Sequence, residues 1–534
     1  MGARSLWSVT AIVIVVAGCR RPVCGDLTYD EDMGRCVCGP GTIENPGDDG
    51  PICITPDGGE PDAGVPIDAQ SPPDAPRCAP GTDDCDANAA GCETDVTTSS
   101  AHCGACGNAC ASSEICEESE CRALPIQRWE RVVDLPDGSR LLDVATDPAG
   151  NVYVSGFSSG FGIASFVVPP GGFIAKHTSE GAVVWATGVG AGVYPRSLVV
   201  DSEGNLHAAG SAPADDGPGS RPWASSFDAS GTQRWRNQTF PDRSLDSSEG
   251  PTYSANSLVV FGSYIAVVST LEEHDAPGSH RLFVDLLSPM NGAILGGREI
   301  FSTAFSAWPN PQLAAGSNRL FLVGTFAGAL SAGDRTIRST GTDVFATALS
   351  TSALLLQWLV GFGSAGPDRA DSVAVDGARN LVIAGAVAGT MTFGSTSVTA
   401  MGTDALLAVL DDTGAPMRAT SFGGAGADRF TSVSIDASGS IIVGGTSDAD
   451  VSVASRTLTA LGGADVLMAA FDSTLGIEWA ARFGGAGEDA AVTSATASGD
   501  PIVAATFSGA AWFGGDDLEP AGNLDGVVAL YRSR

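Results

Sequence analysis

The stretch Gly402-Thr403-Asp404-Ala405-Leu406-Leu407-Ala408-Val409-Leu410, closed by Phe422-Gly423-Gly424-Ala425-Gly426-Ala427-Asp428, decides how this chain folds. Its first part is a Gly/Asp turn running into a short apolar run without helical periodicity, which predicts a buried β-strand. The same pair of signals returns as Gly341-Thr342-Asp343 with Phe362-Gly363-Ser364-Ala365-Gly366-Pro367-Asp368, and as Gly463-Ala464-Asp465 with Phe483-Gly484-Gly485-Ala486-Gly487-Glu488-Asp489. Asp525 opens one more such run. A third signal is a β-branched run ending in Gly, Ser or Ala, first seen as Val152-Tyr153-Val154-Ser155-Gly156 and met seven times in all. Its last four copies end at Gly324, Gly385, Gly445 and Ala505, steps of 61, 60 and 60 residues. A unit of this size cannot bury its own apolar face, so a regular return means a solenoid, a propeller or an array.

Each unit holds an inner strand, a second strand, a long connection, a third strand and an outer strand ending in Phe-Gly, so the expected blade has four strands. The chain stops on a third strand after Asp525, and residues 126–133 offer the missing outer strand from the other end of the domain. Trp129 would then occupy the slot of Trp185, Trp235, Trp358 and Trp479, where packing between blades is the expected role. Such closure removes free sheet edges, and it predicts an all-β, seven-bladed β-propeller of four-stranded blades over residues 122–534. The unit around Phe261 has lost most of the markers.

On these residues the chain resembles the bacterial β-propeller repeat family, best in its last four units. The Gly181 to Trp185 and Gly231 to Trp235 segments are also similar to quinoprotein propeller repeats. The resemblance implies a propeller and no particular activity, since the fold hosts many functions.

Residues 1–121 are of another composition. Residues 1–18 carry an apolar stretch after one early Arg, and Val16-Ala17-Gly18-Cys19 resembles a lipobox, which marks a lipoprotein signal peptide with Cys19 as the lipidated residue. Arg20 follows it in place of the Asp that commonly retains lipoproteins at the inner membrane, so an outer-membrane or cell-surface address is expected, with lipid as the only membrane attachment. The remaining cysteines are Cys24, Cys36, Cys38 and Cys53 in a small module over residues 19–53, and Cys78, Cys85, Cys92, Cys103, Cys106, Cys110, Cys116 and Cys121 in a second over 78–121. An even number in an exported chain argues for disulfides, with the pairing open and a zinc site at Cys103 and Cys106 as the rival. Cys36-Val37-Cys38-Gly39 is similar to the tail of an epidermal-growth-factor-like module, and the second group resembles Cys-rich modules of bacterial surface lipoproteins. Residues 54–77 form a Pro/Asp/Gly-rich linker, expected to be extended.

The net charge of −34 argues against nucleic acid, which requires a basic face. A single lysine, Lys176, stands among 28 basic residues, and the arginines are scattered over many turns. By strand order, Asp368, Asp428 and Asp489 share one face with Asp343, Asp404, Asp465 and Asp525. Two roles are open for these carboxylates: a cation site, with calcium as the one cofactor suggested, or caps on tight turns. Gly156-Phe157-Ser158-Ser159-Gly160 spells a nucleophile elbow without the helix that pattern needs, and Glu272, Glu273, His274, Asp275 and His280 make an acidic loop with metal-ligand chemistry. No unit supplies a nucleophile, a base and an orienter together. The expected function is that of a non-catalytic cell-surface lipoprotein whose propeller binds a protein or polysaccharide partner. The alternatives are a propeller-class enzyme (a lyase, a hydrolase or quinoprotein-like) and an envelope-assembly scaffold.

Overall fold

In the computed structural model the described residues are most of 125–532, with 242–251 and 273–278 the longest gaps, and before them 102–110 and short strand segments. The chain divides into two compact units, Met1–Arg77 and Cys78–Arg534. Within the first, two hairpins are described, Thr28–Asp30 with Arg35–Val37 and Ile43–Gly47 with Gly50–Ile54.

The second unit contains seven antiparallel blades whose inner strands are Arg140–Thr146, Tyr194–Val200, Thr252–Phe261, Gln312–Ala315, Arg369–Val375, Asp428–Ile435 and Ala490–Ala495. Each inner strand packs against that of the next blade and the seventh against the first, so the ring is closed. Blade 5 shows the type: Arg369–Val375, Leu381–Val387, Asp404–Leu410 and Pro416–Phe422 pair in that order. The long connection between second and third strands is a hairpin in blades 1, 5, 6 and 7, and in blade 4 the two strands Arg319–Ala332 and Arg335–Ser350 simply run on together. Blade 3, which lacks the sequence markers, still forms four strands.

The closure expected from the sequence is present: Ile126–Val133 pairs antiparallel with Asp525–Arg532 as the outer strand of blade 7. The seventh blade is thus built from both ends of the propeller, and no sheet edge is left open at the junction.

Apolar clusters lie between successive blades. Ala384, Leu407 and Val409 of blade 5 meet Phe430, Val433, Val443 and Leu467 of blade 6 in one of them. Four of the junctions also carry a tryptophan that belongs to these clusters. Trp129, Trp185, Trp235 and Trp358 each lay the indole over a turn glycine of the following blade, where a β-carbon would lie 2.7 Å or less from the ring at Gly181, Gly231 and Gly292 and 2.8 Å from it at Gly414. Each indole Nε1–H donates to a carbonyl of that same turn: Ser179 (2.8 Å), Ala229 (3.1 Å), Pro289 (2.8 Å) and Asp412 (3.1 Å). The Gly-x-x-x-Trp spacing therefore records two different junctions, since the glycine receives one blade's indole and the tryptophan is delivered to the next blade.

Five inner strands carry a one-residue bulge, at Leu142, Arg196, Asn256, Asp371 and Thr431. The bulge presses a carbonyl onto a glycine within the second strand, the one that closes its β-branched run: a β-carbon at Gly385 would lie 1.9 Å from Arg369 O, and one at Gly445 1.8 Å from Arg429 O. This is why the β-branched runs end in glycine. The residue after the bulge turns to the neighbouring blade and accepts a backbone N–H there: Ser197 from Leu258 (3.2 Å), Ser257 from Leu313 (3.2 Å) and Ser372 from Val433 (3.1 Å).

Trp129→Ala opens the closure junction and removes both the indole packing and its hydrogen bond. The expected cost is about 3–5 kcal/mol, from large-to-small core substitutions, read as a lower urea midpoint at unchanged slope; a midpoint within error of the parent would show that the closure is held elsewhere.

Candidate functional site

The seven aspartates singled out from the sequence are placed at blade junctions and are buried. They do not form one ring. Asp343 faces Asp368, Asp404 faces Asp428 and Asp465 faces Asp489, each pair across the glycine of a Phe-Gly step. A β-carbon at Gly363 would lie 2.6 Å from Asp368 Oδ2 and 2.8 Å from Asp343 Oδ1, and one at Gly423 would be 2.5 Å from Asp428 Oδ2 and 3.0 Å from Asp404 Oδ1. The repeated Phe-Gly is the space in which two carboxylates meet.

Several of these oxygens are engaged by backbone donors, while Asp343 Oδ1, Asp428 Oδ1 and Asp465 Oδ1 are buried without a hydrogen-bond partner. Asp368 accepts from Ser364 N, Ser364 Oγ (2.9 Å) and Ala388 N (2.8 Å), Asp428 from Gly424 N (2.7 Å), Asp489 from Gly485 N (2.8 Å), Asp465 from Leu461 N (2.8 Å) and Asp525 from Leu135 N (2.9 Å). Burial, with a smaller contribution from the facing carboxylate, raises Asp343 and Asp404 above the usual carboxylate range. Burial likewise pushes Asp489 up to about 6.

The third pair differs from the other two in having a resident cation. Arg482 Nη1 lies 3.1 Å from Asp465 Oδ2, with both side chains buried, and its Nη2 donates to Ser447 Oγ (2.7 Å) and to Ala449 O. The positions in register with Arg482, each just before Phe-Gly, are Gly361 in blade 4 and Ser421 in blade 5. Among the described residues no group of three carboxylates and imidazoles brings ligand atoms within 4.8 Å of one another, so each pair offers two carboxylates and backbone oxygens only.

On the same face, the residue at one register position near the start of the inner strand, which precedes the bulge pair where there is one, differs from blade to blade. In register these residues are Arg140, Tyr194, Ser254, Arg369, Arg429 and Ala490 in blades 1, 2, 3, 5, 6 and 7. Arg140 and Tyr194 are exposed and Arg369 and Arg429 half-exposed. Tyr194 stacks on Phe157 with centroids 4.6 Å apart and carries Arg196 over its ring. Arg369 donates through Nε (3.1 Å) and Nη2 (2.6 Å) to Asp371 Oδ1, while Arg429 Nε sits 3.7 Å from Asp371 Oδ2. This ring was not legible from the sequence as a site, although the Asp-Arg steps 368–369 and 428–429 repeat and Ser139-Arg140 copies them.

One latch position is chemically different from its copies. Where blades 2, 3 and 5 place Ser197, Ser257 and Ser372, blade 1 places Asp143, whose Oδ2 accepts from Leu198 N (2.6 Å) and Oδ1 from Val144 N (2.8 Å). Burial pushes its carboxyl up to about 7 against the pull of those two backbone bonds.

The remaining sequence candidates fall as follows. Ser158 is buried and accepts from Gly160 N (3.0 Å) as a turn residue. His280 lies opposite Glu272 in the blade 3 ladder, and residues 273–278 are outside the described residues, as is Cys19. Cys103–Cys116 and Cys110–Cys121 are disulfides, and Cys106 is also disulfide-bonded, which leaves no thiolate at Cys103 and Cys106 for zinc. The pairing of the other cysteines lies outside the described residues. Among the described residues no helix is long and apolar enough to cross a membrane.

No protein-family model matches the chain, and no curated protein is similar to it. Solved structures with a like arrangement include the quinohemoprotein alcohol dehydrogenase of Comamonas testosteroni (10% identity, 77% of this chain and 76% of that chain, TM-score 0.39). The GH93 α-L-arabinofuranosidase of Fusarium graminearum is 12% identical over 60% of this chain and 91% of that chain, with a TM-score of 0.39. A streptogramin B lyase is 9% identical over 75% of this chain and 97% of that chain, also with a TM-score of 0.39. Likeness at this level carries no argument about activity, and the propeller rests on its own strand pairing.

Two substitutions test the buried charges. Arg482→Gln leaves Asp465 buried without its cation and should cost about 3–5 kcal/mol at neutral pH, with a smaller loss near pH 5, below the value of about 6 to which Asp489 is raised, where the facing carboxyl holds its proton; equal losses at both values would remove the electrostatic explanation. Asp143→Ser copies the other blades. Because the folded carboxyl is raised to about 7, its stabilising proton is fully held below about pH 4 and lost as pH rises through 7. The variant should therefore gain thermal midpoint relative to the parent at pH 8 and not at pH 4, and a pH-independent difference would count against the raised carboxyl.

Proposed function

We propose that this chain is a non-catalytic binding protein of the cell surface, held by lipid on Cys19 and carrying its propeller beyond a Cys-rich and Pro/Asp-rich stalk toward a protein or polysaccharide partner. The observation that supports this reading is the division of labour on one face. The repeated groups there, the junction aspartates and the latch serines, are engaged with backbone donors. The groups that differ between blades, Arg140, Tyr194, Arg369 and Arg429, are the accessible ones. A ligand that meets this rim meets arginines and a stacked tyrosine, side chains that serve well as anchors at interfaces.

A second reading, a propeller enzyme, is favoured by one observation only: Asp143 stands where other blades have serine, and burial pushes its carboxyl up to about 7, the range that suits a general acid or base.

The test uses the full-length exported chain on an array of defined polysaccharides. Binding that is lost on replacing Tyr194 and Arg429 by alanine is the expected result, and binding indifferent to both substitutions would overturn the rim as the ligand face. Turnover of any bound glycan that stops in Asp143→Asn would move the assignment to the enzymatic reading. In parallel, Cys19→Ser should release the chain from the membrane fraction; retention there would remove the lipid anchor.

A further inference from the structure

The triad of Arg369, Asp371 and Arg429 carries one charge too many and donors too few partners. Asp371 is almost fully buried, 4% exposed, and lies between two guanidiniums from successive blades, each 38% exposed. Arg369 already satisfies Asp371 Oδ1 through two N–H groups. Arg429 approaches the second oxygen only to 3.7 Å, and its buried Nε has no hydrogen-bond partner. The Arg429 guanidinium donates no hydrogen bond among the described residues. Burial is the main effect lowering Arg429, and Arg369 beside it adds to that effect against the opposing pull of Asp371.

The other charged groups nearby do not supply the missing partner. Asp368 and Asp428 precede these arginines in the chain, but Asp368 accepts from Ser364 and Ala388, and Asp428 accepts from Gly424 on its own turn. Opposite in the ladder stand Ala386 for Arg369 and Thr446 for Arg429. Thr431, in register with Asp371 on the next blade, gives its hydroxyl to Ala491 O (3.0 Å). Within the triad two cations against one carboxylate leave a single positive charge and a partly exposed Arg429 guanidinium without a hydrogen-bond partner, a planar group that takes a carboxylate by paired N–H bonds.

The size of the ligand charge follows from the rest of the molecule. With a net charge of −34 the chain repels polyanions at long range, and that field decays within about a Debye length, ~8 Å at physiological salt. A ligand with one anionic group on an otherwise neutral body escapes most of that repulsion and still satisfies the pair. Resting on the binding function proposed above, we infer that Arg369 and Arg429, positioned by Asp371, form a site for the single carboxylate of a sugar acid within a neutral glycan.

The experiment titrates the full-length chain with galacturonic acid, galactose and inorganic phosphate, following ligand resonances by NMR. Galacturonic acid should bind at least tenfold tighter than galactose, and Arg429→Gln should weaken it by about 10-fold to 100-fold, the range for charge-assisted hydrogen bonds. Arg429→Lys, which keeps the charge without the fork, should recover part of that loss, whereas Arg335→Gln on the exposed blade 4 hairpin should change nothing. Equal binding of the two sugars, or an unchanged affinity in Arg429→Gln, overturns the site while leaving a glycan-binding rim detected by the array intact. Phosphate binding as tightly as galacturonic acid overturns the sugar-acid assignment.

Discussion

The indole that crosses from one blade to a glycine of the next is the contact on which this molecule depends. A four-stranded blade has two open edges and two apolar faces, and neither is satisfied within the blade. Between blades the apolar faces meet, as Phe430 and Val443 of blade 6 do with Leu407 of blade 5, but apolar packing alone is tolerant of sliding. The tryptophan fixes the relative position, since its Nε1–H must find one particular carbonyl and its ring must find a residue without a β-carbon. At the last junction the indole is that of Trp129, delivered by the first strand of the propeller, so closure uses the same device as the junctions of Trp185, Trp235 and Trp358.

How far the fold was legible follows from where these devices sit in the chain. Gly-x-x-x-Trp, Phe-Gly and the β-branched runs ending in glycine are local patterns, and each turned out to mark a close approach that excludes a β-carbon: an indole at Gly231, two carboxylates at Gly363, a bulged carbonyl at Gly385. Repetition made them visible, and the closing strand over Ile126–Val133 could be assigned because the last blade lacked one. Blade 3 was harder because its outer strand, Ile294–Glu299, has no tryptophan, and its third strand begins without the Asp of blades 4 to 6. It is specified instead by apolar alternation through Leu282, Val284 and Leu286 packing on its neighbours. The bulges were not legible at all, since a bulge is a relation between two strands and only one of them, with its terminal glycine, carries a signal.

The same distinction explains the site. The aspartates drew attention because they recur, and recurrence in a repeat protein reports first on what every junction needs. Their carboxylates accept backbone N–H bonds at the turns, which accounts for their presence whether or not a cation ever joins them. Arg369 and Arg429 drew none, because an arginine after a turn is unremarkable until register places it beside its counterpart on the next blade. Only the ring brings Arg429 to Asp371, across a junction that spans most of a repeat in sequence.

Asymmetry therefore separates function from architecture in this chain. A closed ring of near-identical blades offers near-identical groups at every junction, and a ligand that is not itself seven-fold can be oriented only by positions where the copies disagree. Those positions have a common cause: the residue just before each bulge is held by its carbonyl against the neighbouring strand, so the backbone is fixed there while the side chain is not needed for packing. Arginine, tyrosine, serine and alanine are all compatible with that backbone, which is why the position is free to vary and able to carry specificity. Asp143 is the opposite case, a variation at a position where the side chain is used. It keeps the inter-blade bond that serine makes elsewhere and adds a carboxyl pushed up to about 7, so the strength of the junction it closes changes with pH near neutrality.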